Sequence, residues 1–196
     1  YSNNFAFAAL HADGSVATWG HSEAGGDPGT LSSALEAEVV HVIPFHYGFT
    51  AIKSDGEVVT WGDISGFGYL WPTAATPPAQ LNNITKLCST AQAFAALTED
   101  GTIEAWGAAS YGGAEYITAP PSGSGFTDIV AGFHHFAALG EDGSIVVWGG
   151  TEQSPWADAR VNAPTDDGYI QIIANGNLSF AALKDDGSIT IWGVVN

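Results

Sequence analysis

Hydrophobic and polar positions alternate in short runs along this chain, and the alternation returns at a near-constant interval. Five blocks share it: 7–20 (FAALHADGSVATWG), 49–62 (FTAIKSDGEVVTWG), 94–107 (FAALTEDGTIEAWG), 136–149 (FAALGEDGSIVVWG) and 180–193 (FAALKDDGSITIWG). Alternation with a period of two is the mark of a strand with one buried face. In every block two such runs flank Asp-Gly, at 13–14, 55–56, 100–101, 142–143 and 186–187. Asp-Gly between apolar runs predicts a hairpin closed by a two-residue type I′ turn, which needs positive φ at both central residues. That turn would set Leu10 opposite Ala17 and Ala8 opposite Trp19 on one side, with Ala9 opposite Thr18 and His11 opposite Val16 on the other. A small residue then faces the large Trp again at Ala95, Ala137 and Ala181, and Thr50 takes that place in the second block. The Phe, Leu and Trp positions are all expected in the core.

The tryptophans fall at 19, 61, 106, 148 and 192, so the spacings are 42, 45, 42 and 44. The segments between hairpins follow a pattern too. A glycine-rich or polar stretch comes first (21–27, 63–69, 108–115, 150–158), then a loop with Pro or Ser; in the first copy 31–38 reads instead as one helical turn. A run rich in Val, Ile and Phe follows, at 39–44, 84–89, 126–131 and 169–174, as expected of a buried strand. A unit of three or four short strands cannot bury its own faces, so units must stack on one another. The prediction is an all-β repeat array over 1–196, with units 1–20 (partial), 21–62, 63–107, 108–149 and 150–193. A period near 43 fits the antiparallel blade of a β-propeller better than the shorter coil of a β-solenoid.

Composition narrows what such an array can do. There are 21 acids against 4 bases, a formal charge of −17, which argues against nucleic acid and against an anionic membrane surface. A basic protein, a cation or a larger assembly suits that charge better. No apolar run approaches the roughly 20 residues of a membrane span, so direct membrane insertion is not expected. At 45% hydrophobic and 13% charged, the chain is too apolar for a disordered acidic tail.

Candidate chemistry is sparse. Ser122 and Ser124 lack the glycine two residues ahead that a nucleophile elbow needs, and no helix follows Gly25-Gly26 or Gly112-Gly113 to bind phosphate. His134 and His135 are adjacent, so on a strand they point to opposite faces; a metal would need a further ligand such as His46, and a structural role is expected. Cys88 is alone, which rules out an internal disulfide, and it reads as a small buried hydrophobe. No catalytic set, cofactor or metal is therefore expected, and the chain reads as non-enzymatic. Two features suit a partner-binding surface. Asp13, Asp55, Asp100, Asp142 and Asp186 occupy the hairpin tips, and Glu99, Glu141 and Asp185 sit beside three of them, against Lys53 and Lys184. Together they predict an acidic rim, to which Asp166-Asp167 adds a pair too short to be a calcium loop. Aromatic and apolar residues crowd the inter-hairpin loops: Phe67, Tyr69, Leu70, Trp71, Tyr111, Tyr116 and Trp156, the residue types that anchor protein interfaces. Sequons at Asn83 and Asn177 lean toward a secreted or lumenal setting.

The pattern Phe-Ala-Ala-Leu, two residues, Asp-Gly, then Trp-Gly resembles the regulator-of-chromosome-condensation repeat. The run from Ile129 to Leu139 (IVAGFHHFAAL) looks most like it, with glycine and histidine just ahead of the hairpin. WD40 blades share the period, but Trp-Gly stands here where they have Trp-Asp. The short period is nearer to that of the type II beta-lactamase-inhibitor proteins. The resemblance implies a propeller of antiparallel blades and, in function, an inhibitor or regulator of a partner protein; the repeat, the lack of a catalytic set and the aromatic loops over an acidic rim point first to a scaffold or a subunit of a larger assembly, and carbohydrate or cation binding is the alternative from another class. Such propellers commonly close with seven blades, whereas four full repeats and a leading hairpin are present. The array is thus expected to be part of something longer, an open propeller with a hydrophobic blade face exposed, or else a closed ring of four or five small blades.

Overall fold

The computed structural model describes residues 1–63, 78, 80–108, 111–113, 119–150, 162–175 and 179–193. They form five antiparallel sheets whose strands follow chain order. Sheet 1 is the hairpin β1 (Ala6–Leu10) and β2 (Val16–Gly20). Sheet 2 joins β3 (Val39–Phe45), β4 (Gly48–Lys53) and β5 (Val58–Gly62). Sheet 3 joins β6 (Ile84–Ser89), β7 (Ala93–Thr98) and β8 (Ile103–Gly107). Sheet 4 has β9 (Phe126–Ala131), β10 (His135–Gly140) and β11 (Ile145–Gly149). Sheet 5 has β12 (Tyr169–Ala174), β13 (Ser179–Lys184) and β14 (Ile189–Gly193). These are propeller-type blades. The expected runs 84–89, 126–131 and 169–174 are strands over those same residues, and the expected helical turn in the first copy is a 3-10 segment, Gly29–Leu35. The chain divides into two compact units, Tyr1–Asn82 with sheets 1 and 2 and Asn83–Asn196 with sheets 3 to 5.

The turns differ from the expectation by one residue, with a large consequence. His11 N–H donates to the Ser15 carbonyl at 2.8 Å and Gly14 N–H to the His11 carbonyl at 3.0 Å, so the loop holds three residues rather than two. Gly14 has φ +83° while Asp13 keeps a negative φ, which is a type I turn closed by a glycine bulge. The Asp carboxylate explains the choice: it accepts the Ser15 N–H at 3.0 Å and the Ser15 hydroxyl at 2.7 Å. The backbone pattern repeats in the other four turns, closed by Lys53 to Glu57, Thr98 to Thr102, Gly140 to Ser144 and Lys184 to Ser188. A slip of one residue changes every cross-strand partner. Ala8 faces Thr18, and Trp19 faces Phe7; likewise Phe49 faces Trp61, Phe94 faces Trp106, Phe136 faces Trp148 and Phe180 faces Trp192. The five pairs are stacked, with ring centroids 5.1 to 5.5 Å apart.

Each middle and last strand thus presents two different faces. One is a flat Phe–Trp plate; the other is a shallow socket of small and branched residues. In the first unit the Phe49–Trp61 plate packs on the socket of sheet 1, Ala6, Ala8, Leu10 and Val16. In the second, the Phe136–Trp148 plate packs on Ala95, Leu97 and Ile103 of sheet 3, and Phe180–Trp192 on Ala137, Leu139, Ile145 and Val147 of sheet 4. Full burial of one such aromatic side chain contributes on the order of 2–3 kcal/mol, before the stacking itself. The expectation that every Phe and Trp lies in the core fails at one plate. Phe7 and Trp19 are 47% and 51% exposed, because among the described residues of the first unit no sheet packs on that side of sheet 1.

Successive blades are also tied at their tips. Val39 N–H donates to the Gly14 carbonyl at 3.0 Å, Phe126 N–H to the Gly101 carbonyl at 3.1 Å, and Tyr169 N–H to the Gly143 carbonyl at 3.1 Å. Within the first unit Leu81 N–H reaches the Gly56 carbonyl in the same way, at 2.7 Å. A Cβ at Gly143 would lie 2.6 Å from the Gly168 nitrogen, so only glycine lets the next strand approach this closely.

Candidate functional site

The tip aspartates are local keystones first and a charged surface second. Each accepts the N–H two residues on: Asp13 from Ser15, Asp55 from Glu57 at 3.0 Å, Asp100 from Thr102 at 3.2 Å, Asp142 from Ser144 at 2.9 Å and Asp186 from Ser188 at 2.8 Å. At Asp13, Asp100, Asp142 and Asp186 these bonds favour the ionised carboxylate. Asp13 is held below the ordinary carboxylate value chiefly by the Ser15 N–H, Asp100 by the Thr98 hydroxyl, and Asp142 and Asp186 by the Ser144 and Ser188 hydroxyls. All five side chains stand at solvent-facing turns, and Glu99, Glu141 and Asp185 lie beside three of them, exposed as well. In the second unit the backbone ties at Gly101 and Gly143 fix the order in which the tips bearing Asp100, Asp142 and Asp186 follow one another.

The described lysines offset little of this charge, because each is spoken for. Lys53 bridges Glu38 at 3.6 Å and Glu57 at 3.2 Å; Lys86 meets Asp128 at 2.5 Å. Lys184 meets Asp166 at 2.6 Å and lies 4.7 Å over the Tyr169 ring. Asp166 is therefore an ion-pair partner, lowered first by Lys184 and then by the Tyr169 hydroxyl.

Of the aromatic loop candidates only Tyr111 is described; Phe67, Tyr69, Leu70, Trp71, Tyr116 and Trp156 lie outside the described residues, as does Asn177. Tyr111 is half-buried against the core of sheets 3 and 4, and its ring stacks on His134 at 4.6 Å. His134 loses proton affinity through burial, while its neighbour His135 is wholly buried in β10 with its ring hard against Gly150. Burial likewise pushes the Cys88 thiol up to about 12, and its side chain packs on the sheet 3–sheet 4 core. Asn83 is exposed and takes φ +56°, just ahead of β6. Among the described residues no three His, Cys, Asp or Glu side chains gather in a way that could hold a metal, and no helix is long and apolar enough to cross a membrane.

Two features escaped the sequence reading. Gly25 and Gly112 are the crowns of the aromatic plates: the Trp61 indole N–H donates to the Gly25 carbonyl at 3.0 Å, and Trp148 to that of Gly112 at 3.1 Å. A Cβ on either glycine would strike the Phe49 or Phe136 ring at 2.8 and 2.7 Å. The identical separation of 36 residues in both pairs was the signal available in the sequence. The second feature is an open cleft of about 650 Å3 in the first unit, between the Ser22–Leu31 loop and the end of β5, walled by Glu23, Asp27, Thr60, Trp61 and Asp63. Its position at the far end of β5 from the acidic tip makes it a separate surface.

No protein-family model matches the chain, and no curated protein matches it in sequence. Solved structures do match it in fold. The CRINKLY WD40 ectodomain of the Arabidopsis thaliana receptor kinase ACR4 superposes with a TM-score of 0.61 at 17% identity, over 98% of this chain and 62% of that one. Yeast RCC1 (Prp20), solved bound to Kap60, gives 0.60 at 18% identity over 97% and 54%. Human WBSCR16 gives 0.58 at 18% over 97% and 60%. The chain thus spans between about half and six-tenths of the length of these structures. At such identities the likeness is one of architecture, and it agrees with the plates, sockets and tips described above: this is an all-β propeller-repeat protein.

Proposed function

We propose that this chain is a non-enzymatic protein-interaction module, a scaffold or accessory subunit whose acidic hairpin tips receive a basic protein surface. The observation that carries the reading is the repetition of one exposed aspartate at five equivalent turns, with the described lysines already paired elsewhere. Like charges gathered on a rigid scaffold raise the local concentration of a cationic partner and steer its approach. Yeast Prp20p, which shares the fold, is described by its binding to Gsp1p and to histones, and a basic partner of that chemical kind suits this surface. Phe67, Tyr69, Leu70, Trp71, Tyr111, Tyr116 and Trp156 would add apolar anchors to the electrostatic contact. A role as inhibitor or regulator would use the same surfaces.

The test uses a purified lysine-rich histone as probe and a chain carrying Asp100→Asn, Asp142→Asn and Asp186→Asn. Asparagine keeps the turn's carbonyl acceptor while removing the charge, so the fold is retained. Affinity should drop several-fold in about 50 mM salt and far less in about 300 mM, because screening already weakens the wild-type attraction there. An equal loss at both salts, or none, would overturn the reading.

A further inference from the structure

The residue just ahead of the first strand takes the same backbone in sheets 2 to 5. Glu38, Asn83, Gly125 and Gly168 hold that place, with φ +66°, +56°, +95° and +83°. Its carbonyl accepts an N–H from the hairpin turn of its own sheet: Ser54 onto Glu38 at 2.7 Å, Glu99 onto Asn83 at 2.7 Å and Glu141 onto Gly125 at 2.8 Å. Glycine meets this left-handed backbone at least cost, and Asn is among the few other residues that tolerate it. Two residues on, sheets 3 and 4 repeat a second contact: the Thr85 hydroxyl donates to the Leu97 carbonyl at 3.1 Å and the Thr127 hydroxyl to the Leu139 carbonyl at 3.2 Å. Gly125 and Thr127 thus meet both structural needs of sheet 4 without a side chain at the first position. What Asn83 adds in sheet 3 is a carboxamide. Among the described residues that carboxamide makes no hydrogen bond. Asn83 and Thr85 are both exposed, with Ile84 between them, and both lie outside the core that joins sheets 3 and 4.

We propose that Asn83 is the acceptor of an N-linked oligosaccharide. Asn-x-Thr with x other than Pro is the sequence such transfer requires, and a bulky, hydrated sugar chain needs a surface root with nothing packed over it. The donor is a lipid diphosphate-linked oligosaccharide. A bond forms between Asn83 Nδ2 and the anomeric carbon of the first sugar, and the bond from that carbon to the diphosphate oxygen breaks. The lipid diphosphate leaves with the electron pair, and Nδ2 gives up one proton to the transferase. The sugar chain is rooted beside the turn that carries Asp100, because the Asn83 carbonyl is held by the Glu99 N–H, and it leaves the packing face of sheet 3 clear. Donor and transferase act on chains entering a lumen, so the proposal also carries this chain across a membrane.

The full chain, directed into the secretory route of cultured animal cells, tests this by peptide mapping with mass spectrometry, which reads Asn83 and Asn177 separately. Most secreted wild-type chains should carry hexose and N-acetylhexosamine mass on the Asn83 peptide. Thr85→Ser, which keeps a hydroxyl, should carry it too. Asn83→Gly, the residue found ahead of β9 and β12, and Thr85→Val, suited to a strand, should both be secreted with that mass lost. Secreted wild type with a bare Asn83 would overturn the proposal and leave this residue with a backbone role alone. Sugar retained on Asn83 in Thr85→Val would overturn it as well, because the hydroxyl two residues on would then play no part.

Discussion

Replacing a tip glycine by alanine separates the two demands that the structure places on that residue. Gly143 and Gly187 occupy equivalent turns with nearly the same backbone, φ +78° and +85°. Alanine in the left-handed region costs about 1 kcal/mol at either site. At Gly187 that is the whole effect, since the added methyl meets no atom within 4 Å. At Gly143 the methyl would sit 2.6 and 2.7 Å from the backbone nitrogens of Gly168 and Tyr169, distances that only a backbone shift can relieve. Such a shift breaks the Tyr169 N–H bond to the Gly143 carbonyl, a further loss of about 1 kcal/mol, and overpacking adds about 1 more. Gly143→Ala should therefore destabilise by about 3 kcal/mol and Gly187→Ala by about 1, in line with a threefold difference in melting-temperature shift. Urea titration followed by tryptophan fluorescence reads both, since Trp148 and Trp192 are buried at the flanking plates. Equal destabilisation by the two substitutions would refute the claim that the tip glycine is where one blade grips the next.

Two further outcomes follow from the same structure. Burial holds the Cys88 thiol near 12, so native protein at about pH 8 should react with an aromatic disulfide far more slowly than the urea-unfolded chain, and matching rates would show the packing at β6 to be wrong. The tip carboxylates of Asp142 and Asp186 lie below their ordinary value of 3.8 in the folded chain, so their stabilisation is complete above that pH and is lost as the pH falls through the lower folded values. Urea midpoints measured from about pH 6 down to about pH 2 should fall less steeply in the acid limb for an Asp142→Asn, Asp186→Asn chain than for wild type, and parallel curves would count against the hydrogen-bonded turn.

Much of this architecture is written in local pattern. Strand bounds at 84–89, 126–131 and 169–174, the five hairpins and the blade period could all be read from alternation and Asp-Gly spacing, because strand propensity and turn chemistry act over a few residues. The register could not. Asp-Gly is compatible with a two-residue or a three-residue loop, and the Asp side chain tips the balance by capping the N–H two residues on, as at Asp13 with Ser15. That single residue decides whether Trp faces Ala or Phe, and so whether a flat aromatic plate exists at all. The partner acids of Lys53 and Lys184 were equally out of reach, since Glu38 and Asp166 arrive from the linker ahead of each first strand.

The chain on its own therefore determined that five tight ribbons form, where their strands begin and end, and that each must find a neighbour to cover an apolar side. Tertiary structure alone decided which side that is, which glycines act as crowns and grips, and that Phe49 and Trp61 are shielded while Phe7 and Trp19 are half-exposed. The reason is one of range: alternation and turn preference are properties of adjacent residues, whereas burial is settled only by what packs on top.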